Sequence, residues 1–484
     1  MFREPEPLPA IANRPSYVWI VVGTVCIGAF MGQLDASITQ LVLPALEASF
    51  DSSVDVVSWV AVVYLVTAAA TLPLFGRLAD LYGRKLLYTF GFLVFVLGSG
   101  LCGFATSLEA LIAARALQSI GSAMLTANSV AIVVSIASHS NRGKALGIQA
   151  AMQAVGLCAG PTLGGLILSA LDWRWVFWVN VPVGLIGAAI SWFVLPVTTL
   201  PERRGRFDGF GAVLLVPGLG ALMLAVNQAG SWGPASPAIL ASAGAAVLLL
   251  GLFVWHEGRT REPLVSLALF RRPAFSLGNA ASLLANAILF ALFFLMPFAY
   301  QRVFHQDVLA AGLYLTAIPI ALALLAPLSG ALSDRMGYRA LCTAGMLVAA
   351  AGLMLLHSLL ASPEASVAMI TLALALIGVG QGLFFAPNNN AIMGSATSDE
   401  TGEAGGVMNV TRNIGTSLGI AVAAALLSWQ LRAGGSPVAS THLAPPAELL
   451  SAIRLVVAVL AGGALAAALA SFVRPAPRGT DTRK

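Results

Sequence analysis

Charged side chains are scarce in this 484-residue chain: Asp, Glu, Lys and Arg together make up only 10% of it. Soluble domains carry about 25%, so a water-soluble fold is excluded. The five histidines fall at helix ends or in loops, without ligand spacing. The four cysteines (Cys26, Cys102, Cys158 and Cys342) stand singly in apolar segments with no CxxC pair, so neither a metal site nor a disulfide framework is expected. A phosphate-binding loop is missing too: no GxxxxGK[ST] occurs, and "NRGKA" (141–145) lacks both the first glycine and the hydroxyl. "GVGQGL" (378–383) sits inside an apolar run with no strand before it, where helix packing explains it. ATP hydrolysis is therefore not expected as an energy source. The chain also lacks the buried His, Asp and Ser constellations of a membrane enzyme and the rings of like charge of a channel. No catalytic residue and no cofactor is expected.

What is present is hydrocarbon. Hydrophobic residues make up 58% of the chain, and mean hydropathy is +0.87. Apolar runs recur at near-regular spacing, each long enough to cross about 30 Å of bilayer core. Fourteen helices are predicted, starting near Tyr17, Val56, Lys85, Leu108, Lys144, Trp175, Gly209, Pro237, Phe275, Leu309, Ala340, Ser366, Ala404 and Leu450. An even number puts both termini on one side. Arg77, Arg84, Lys85, Arg142, Lys144, Arg203, Arg204, Arg206, Arg259, Arg261, Arg271, Arg272, Arg335 and Arg339 occupy loops of that side, whereas the opposite loops offer Arg174, Arg302 and Arg432. By the positive-inside rule both termini are cytoplasmic. The net charge of +5 follows this topology, so no nucleic-acid partner is expected. The N-terminal stretch, with its acids and prolines, does not resemble a cleavable signal peptide. Short loops and a short N-terminus favour a bacterial cytoplasmic (inner) membrane.

"GRLADLYGRK" (76–85) after helix 2 has a looser copy, "GALSDRMGYR" (330–339), after helix 10. Transporters are often built from two six-helix repeats, so an offset of eight helices implies two inserted ones. The expected fold is an all-α integral membrane protein of 14 transmembrane helices. It comprises an N-terminal six-helix bundle (1–200), a linker with two additional helices (201–265) and a C-terminal six-helix bundle (266–484).

Of 21 acidic residues, nearly all lie in loops or at helix ends, and only Asp35, within "MGQLDASITQLVLPAL" (31–46), falls well inside a span. An intramembrane carboxylate costs at least ~2.5–3.5 kcal/mol and asks for a function. Arg115, roughly two turns into helix 4, heads a polar face continued by Gln118, Ser122 and Ser129. A carboxylic acid buried alone takes up a proton, and one beside a guanidinium sheds it. A cavity alternating between closed and hydrated could swing Asp35 between these states, with a bound cation competing for the charge. The alternative is a permanent Asp35–Arg115 brace. The candidate substrate-cavity residues are Gln118 of that face and, on helices 5, 9 and 12, Gln149 and Gln153; Asn286, Phe290 and Phe293; and Gln381, Phe384, Phe385 and Asn388. Amides and aromatics with few fixed charges suit bulky amphipathic ligands, although such phenylalanines also pack against lipid or helices.

"GRLADLYGRK" resembles the loop signature of the major facilitator superfamily, with Leu81 where Arg is usual. "RALQSIGSA" (115–123), "GLCAGPTLGG" (156–165), "LDASITQLVLP" (34–44), "WRWVFWVNVPVG" (173–184) and "GGVMNVTRNIGTSLGIA" (405–421) resemble motifs of its fourteen-spanner drug:proton antiporter family. The resemblance covers nearly the whole chain. It implies export of small amphipathic, often cationic or lipophilic compounds against the proton gradient, by alternating access. It makes Gly76, Asp80, Gly83, Arg84 and Lys85 a conformational latch, engaging the start of helix 13, where a basic turn for topology alone would need only Arg84 and Lys85. It makes Gly156, Gly160, Pro161, Gly164 and Gly165 of helix 5 a hinge and seal between the halves, ordinary helix packing being the alternative. The expected partners are the proton, small-molecule substrates and the lipid bilayer. Export of one physiological metabolite, siderophore or lipid by the same fold is the rival reading.

Overall fold

In hydrocarbon each backbone N–H and C=O must be paired within its own segment, which leaves the apolar runs little choice but helix. The computed structural model describes residues 4–138, 141–198, 208–260, 263–397, 400–433, 441 and 443–475. The basic loop residues Arg203, Arg204 and Arg206 lie outside them, as do the side chains of Asp334 and Arg335. Fourteen helices are long and apolar enough to span a membrane. They are α1 (Tyr17–Phe50), α2 (Val54–Tyr82), α3 (Arg84–Phe104), α4 (Leu108–Ile136), α5 (Arg142–Ala170), α6 (Trp175–Val194) and α7 (Gly209–Trp232). The second seven are α8 (Pro237–Glu257), α9 (Pro273–Val303), α10 (Val308–Ser333), α11 (Tyr338–Leu359), α12 (Val367–Met393), α13 (Glu403–Ala433) and α14 (Pro446–Val473).

The packing repeats itself with an offset of eight. In the first half α1 packs on α5, α2 on α4, α3 on α4 and α3 on α6; in the second α9 packs on α13, α10 on α12, α11 on α12 and α11 on α14. Across the halves α2 meets α13 and α5 meets α10, a pair of contacts that the same offset exchanges. The internal echo in the loops is therefore also an echo in the packing. Helix α7 leans on α2 and α13, and α8 packs chiefly on α7 with most of its surface turned outward.

Lipid supplies no hydrophobic drive between helices, so close packing of small residues holds them together. On α5 a Cβ at Gly156 would strike the Phe30 carbonyl, one at Gly160 the Ser37 hydroxyl, and one at Gly164 would lie 2.9 Å from Ile38. Those three glycines thus seat α5 against α1, inside its own half. The face toward α10 is made by Gly165, whose Cβ would come 2.9 Å from the Leu309 Cα, and by the Pro161 carbonyl, which abuts Gly312. The motif therefore divides between packing within one half and sealing against the other.

The joints between halves cluster on the side opposite the basic loops. There the Thr162 and Thr316 hydroxyls meet at 2.8 Å, Arg302 donates to the Pro44 carbonyl at 3.3 Å, and the Ser428 hydroxyl donates to Asp55 at 3.2 Å. Ser231 of α7 also donates to Asp55, and Asn227 donates to Ser58 at 2.8 Å, tying the inserted helices into the same seam. On the basic side, by contrast, a side chain added at Gly76 or Gly406 would meet nothing within 4 Å.

A two-pronged ion pair braces the basic end of the second half: Arg272 donates to the two Glu400 oxygens at 2.6 and 3.0 Å. That pair, with the Thr397 amide and hydroxyl, holds the Glu400 carboxyl well below its usual 4.5, at about 2. A depressed value contributes stability above pH 4.5, lost only as pH falls toward 2. The thermal stability difference between wild type and Glu400→Gln is therefore expected to be equal at pH 7 and pH 5. A gap that closes at pH 5 would contradict this pairing.

Candidate functional site

Two polar sites lie at mid-membrane, side by side and separated by one aromatic ring. The first is enclosed in the N-terminal half. Arg115 of α4 donates to Asp35 of α1 at 2.6 Å, and both side chains are fully buried. Gln118 and Asn180 donate to the other carboxylate oxygen at 2.8 and 3.0 Å. Arg115 also donates to the Val60 carbonyl at 3.0 Å and to Gln118 at 2.6 Å, so α1, α2, α4 and α6 share one network. Its guanidinium stacks 4.1 Å above the Tyr64 ring. Two lone ions in apolar spans have been brought together, and Gln118, expected on the cavity wall, belongs to this network instead.

The second site is a cavity of ≈ 300 Å³ between the halves, walled by α1, α2, α4 and α5 on one side and α9, α10, α12 and α13 on the other. Gln153, Asn286, Phe290 and Phe385 line it. Asp35 and Arg115 do not; Tyr64, which does, is the residue that touches both sites. The other amides expected here turn away, because each finds a partner on a neighbouring helix. Gln149 donates to Ser129 at 2.8 Å, Gln381 to the Ala285 carbonyl at 3.2 Å, and Asn388 to the Gly278 carbonyl at 3.1 Å while accepting from Arg474 at 2.8 Å. Phe293 and Phe384 are buried behind Phe290 and Phe385, with ring centroids 5.6 and 5.5 Å apart. Phe384 and Phe385 are adjacent on α12 and point different ways, so only Phe385 reaches the wall.

Glu47, Asp55 and Arg412 escaped the sequence reading. Glu47 and Asp55 sit at span ends yet are as buried as Asp35, because the outward side is closed over them. The Thr441 amide donates to Glu47 at 2.6 Å, and Asp55 takes the serine bonds of the seam. Arg412 of α13 lines the cavity, and its nearest hydrogen-bond partner is the Gln153 oxygen at 3.4 Å. It lies within the quoted stretch 405–421, and the argument that singled out Asp35 would have singled it out as well.

Asp80 pairs at 3.0 Å with Arg84, four residues on, and both remain partly exposed. Gly83 turns the chain at φ +112°, a conformation few other residues tolerate. Lys85 donates to the Pro5 carbonyl at 2.6 Å, and Glu4 accepts from the Leu86 amide at 3.1 Å. The sequence reading put this loop against the start of α13; the contacts of Asp80, Lys85 and the Leu86 amide lie within its own half.

A family model, the Major Facilitator Superfamily, matches residues 25–420. The chain belongs to that superfamily. Among curated members, it is 31% identical over 406 residues to the riboflavin transporter RibZ of Clostridioides difficile, covering 83% of this chain and 87% of that one. It is 32% identical over 412 residues to the multidrug resistance protein Stp of Mycobacterium tuberculosis, covering 85% and 76%. The superfamily fold recurs in the crystal structure of a bacterial homolog of the human lysosomal transporter Spinster. The TM-score there is 0.68 at 16% identity, over 96% of this chain and 97% of that one. This superfamily member is thus a polytopic transporter whose cavity lies between two related bundles.

Proposed function

We propose that the protein exports small amphipathic compounds from the cytoplasm in exchange for protons, by alternating access between the bundles. The observation that carries this reading is the cavity between the halves, with the described α5–α10 and α2–α13 side-chain joints on the side opposite the basic loops. Binding there from the cytoplasm, followed by opening of the outer seam, amounts to export. The mixed wall, with Phe290, Phe385 and Leu289 beside Asn286, Gln153 and Asn389, suits a body that is part apolar and part polar. Asp35 is the proposed proton carrier, with Arg115 as the group that competes with the proton for its charge. Relatives named as multidrug resistance proteins support a broad substrate range. Similarity to a protein named as a riboflavin transporter supports the narrower alternative, a single physiological metabolite.

Everted membrane vesicles given an imposed proton gradient and no ATP test the reading. Accumulation of an amphipathic dye is expected to follow the gradient and to collapse within seconds of adding a protonophore. Accumulation that needs ATP, or that ignores the protonophore, would refute proton exchange.

A further inference from the structure

The cavity wall carries a charge of one sign. Among the described lining residues Arg412 is the one with an ionised side chain, and no carboxylate shares the wall with it. Around it stand neutral groups: Asn413 and Thr416 on its own helix, and Gln153, Asn286 and Asn389 across the cavity. The Gln153 contact, at 3.4 Å, is at the long limit of a hydrogen bond and engages one of five guanidinium donors. The contrast is Arg115, whose charge is matched at 2.6 Å by Asp35. A cation at membrane depth is costly unless an anion or backbone oxygens answer it. Here no answering carboxylate stands among the described residues of the wall, on a surface built to hold something.

We infer that the cavity takes amphipathic organic anions, the acidic group on Arg412 and the ring-bearing or aliphatic body against Phe290, Phe385 and Tyr64. A planar guanidinium fork accepts a carboxylate or sulfonate through two parallel N–H bonds, which a neutral amide cannot match. The same unpaired charge repels organic cations, which replaces the expectation that the cargo is cationic. This rests on the export reading only in treating the bound compound as cargo; the charge preference of the site is a separate property.

The test uses two permanently charged probes with the same ring: 2-naphthalenesulfonate and trimethyl(2-naphthyl)ammonium. Binding is measured by equilibrium dialysis against the full-length protein in nanodiscs, with empty nanodiscs as the blank. Wild type is expected to bind the sulfonate at least about 10-fold more tightly than the ammonium, and Arg412→Gln to weaken sulfonate binding about 10- to 100-fold. Arg412→Lys should retain part of the preference. Gln153→Glu leaves Arg412 in place but supplies a carboxylate at its contact, and should remove the preference without disturbing the helix. Equal or tighter binding of the ammonium by wild type would overturn the inference. So would sulfonate affinity unchanged in either Arg412→Gln or Gln153→Glu. Uptake into vesicles is read separately. Sulfonate that binds but does not move with the gradient defeats the export reading alone, whereas gradient-driven uptake of the ammonium in preference to the sulfonate defeats this inference alone.

Discussion

Asp35→Asn is expected to abolish gradient-driven accumulation and to leave the purified protein markedly less stable. Removing one partner of a buried ion pair strands the other charge, at a cost of about 3–5 kcal/mol. The amide can still accept one hydrogen bond, but Arg115 would keep only the Val60 carbonyl, the Gln118 oxygen and neutral rings around it. Stability alone cannot distinguish a proton carrier from a brace, since both lose it. The double variant Asp35→Asn/Arg115→Gln separates them. Neutralising both partners removes the stranded charge, so unfolding temperature should recover most of its loss. If Asp35 carries the proton, uphill transport stays absent in the refolded double variant while downhill exchange returns. Recovery of uphill transport together with stability would mean that the pair only braces α1 against α4.

Gly312→Val is expected to reduce transport more than 10-fold by prising open the outer seam. A Cβ at that position would overlap the Pro161 carbonyl and sit 3.2 Å from the Leu41 side chain. Backbone on one side and a packed leucine on the other leave no direction for small adjustments, so α5 and α10 must part. The conformational bias is then toward the outward-open form. A cysteine replacing Thr162, which faces Thr316 across the seam, should be shielded from an impermeant maleimide in the parent and labelled rapidly with Gly312→Val. Gly220→Val is the matched control, because a Cβ there meets nothing within 4 Å. Wild-type transport by Gly312→Val, with Thr162→Cys still protected, would show that the seam is not the outer gate.

The helices were legible because hydropathy alone separates span from loop. Starts expected at Lys85, Lys144 and Phe275 fall at Arg84, Arg142 and Pro273, and the largest slip is at the last span, expected from Leu450 and found from Pro446. That slip has a simple cause: Pro446 opens the helix, and a proline at the first turn costs nothing there. The meeting of Asp35 with Arg115 was also legible, since two opposite ions in hydrocarbon have few other options. The cavity wall was not. Offsets of three, four and seven place residues on one face, but every face of a helix within a bundle has neighbours, and the pattern does not say which face is the void. Gln381 and Asn388 look like cavity amides in the sequence and serve as bonds to the Ala285 and Gly278 carbonyls in the fold. Glu47 and Asp55 look like loop residues because their burial comes from partners far along the chain, Thr441 and Ser428.

The position of α7 bears on the route by which membrane-dissolved compounds can reach the cavity. Two bundles that rock against each other leave a crevice on each flank, one bounded by α5 and α10 and the other by α2 and α13. On the second flank α7 lies against both bounding helices, with Gly230 set against the Ala425 carbonyl so closely that no side chain would fit. Helix α8 then stands behind it as an outer layer. A chain of the two bundles alone would offer the surrounding leaflet two doorways; here one is shuttered. For the proposed amphipathic cargo this leaves the α5–α10 flank as the one not covered by α7 and α8, and the inserted pair makes an otherwise near-symmetric packing one-sided in the plane of the membrane.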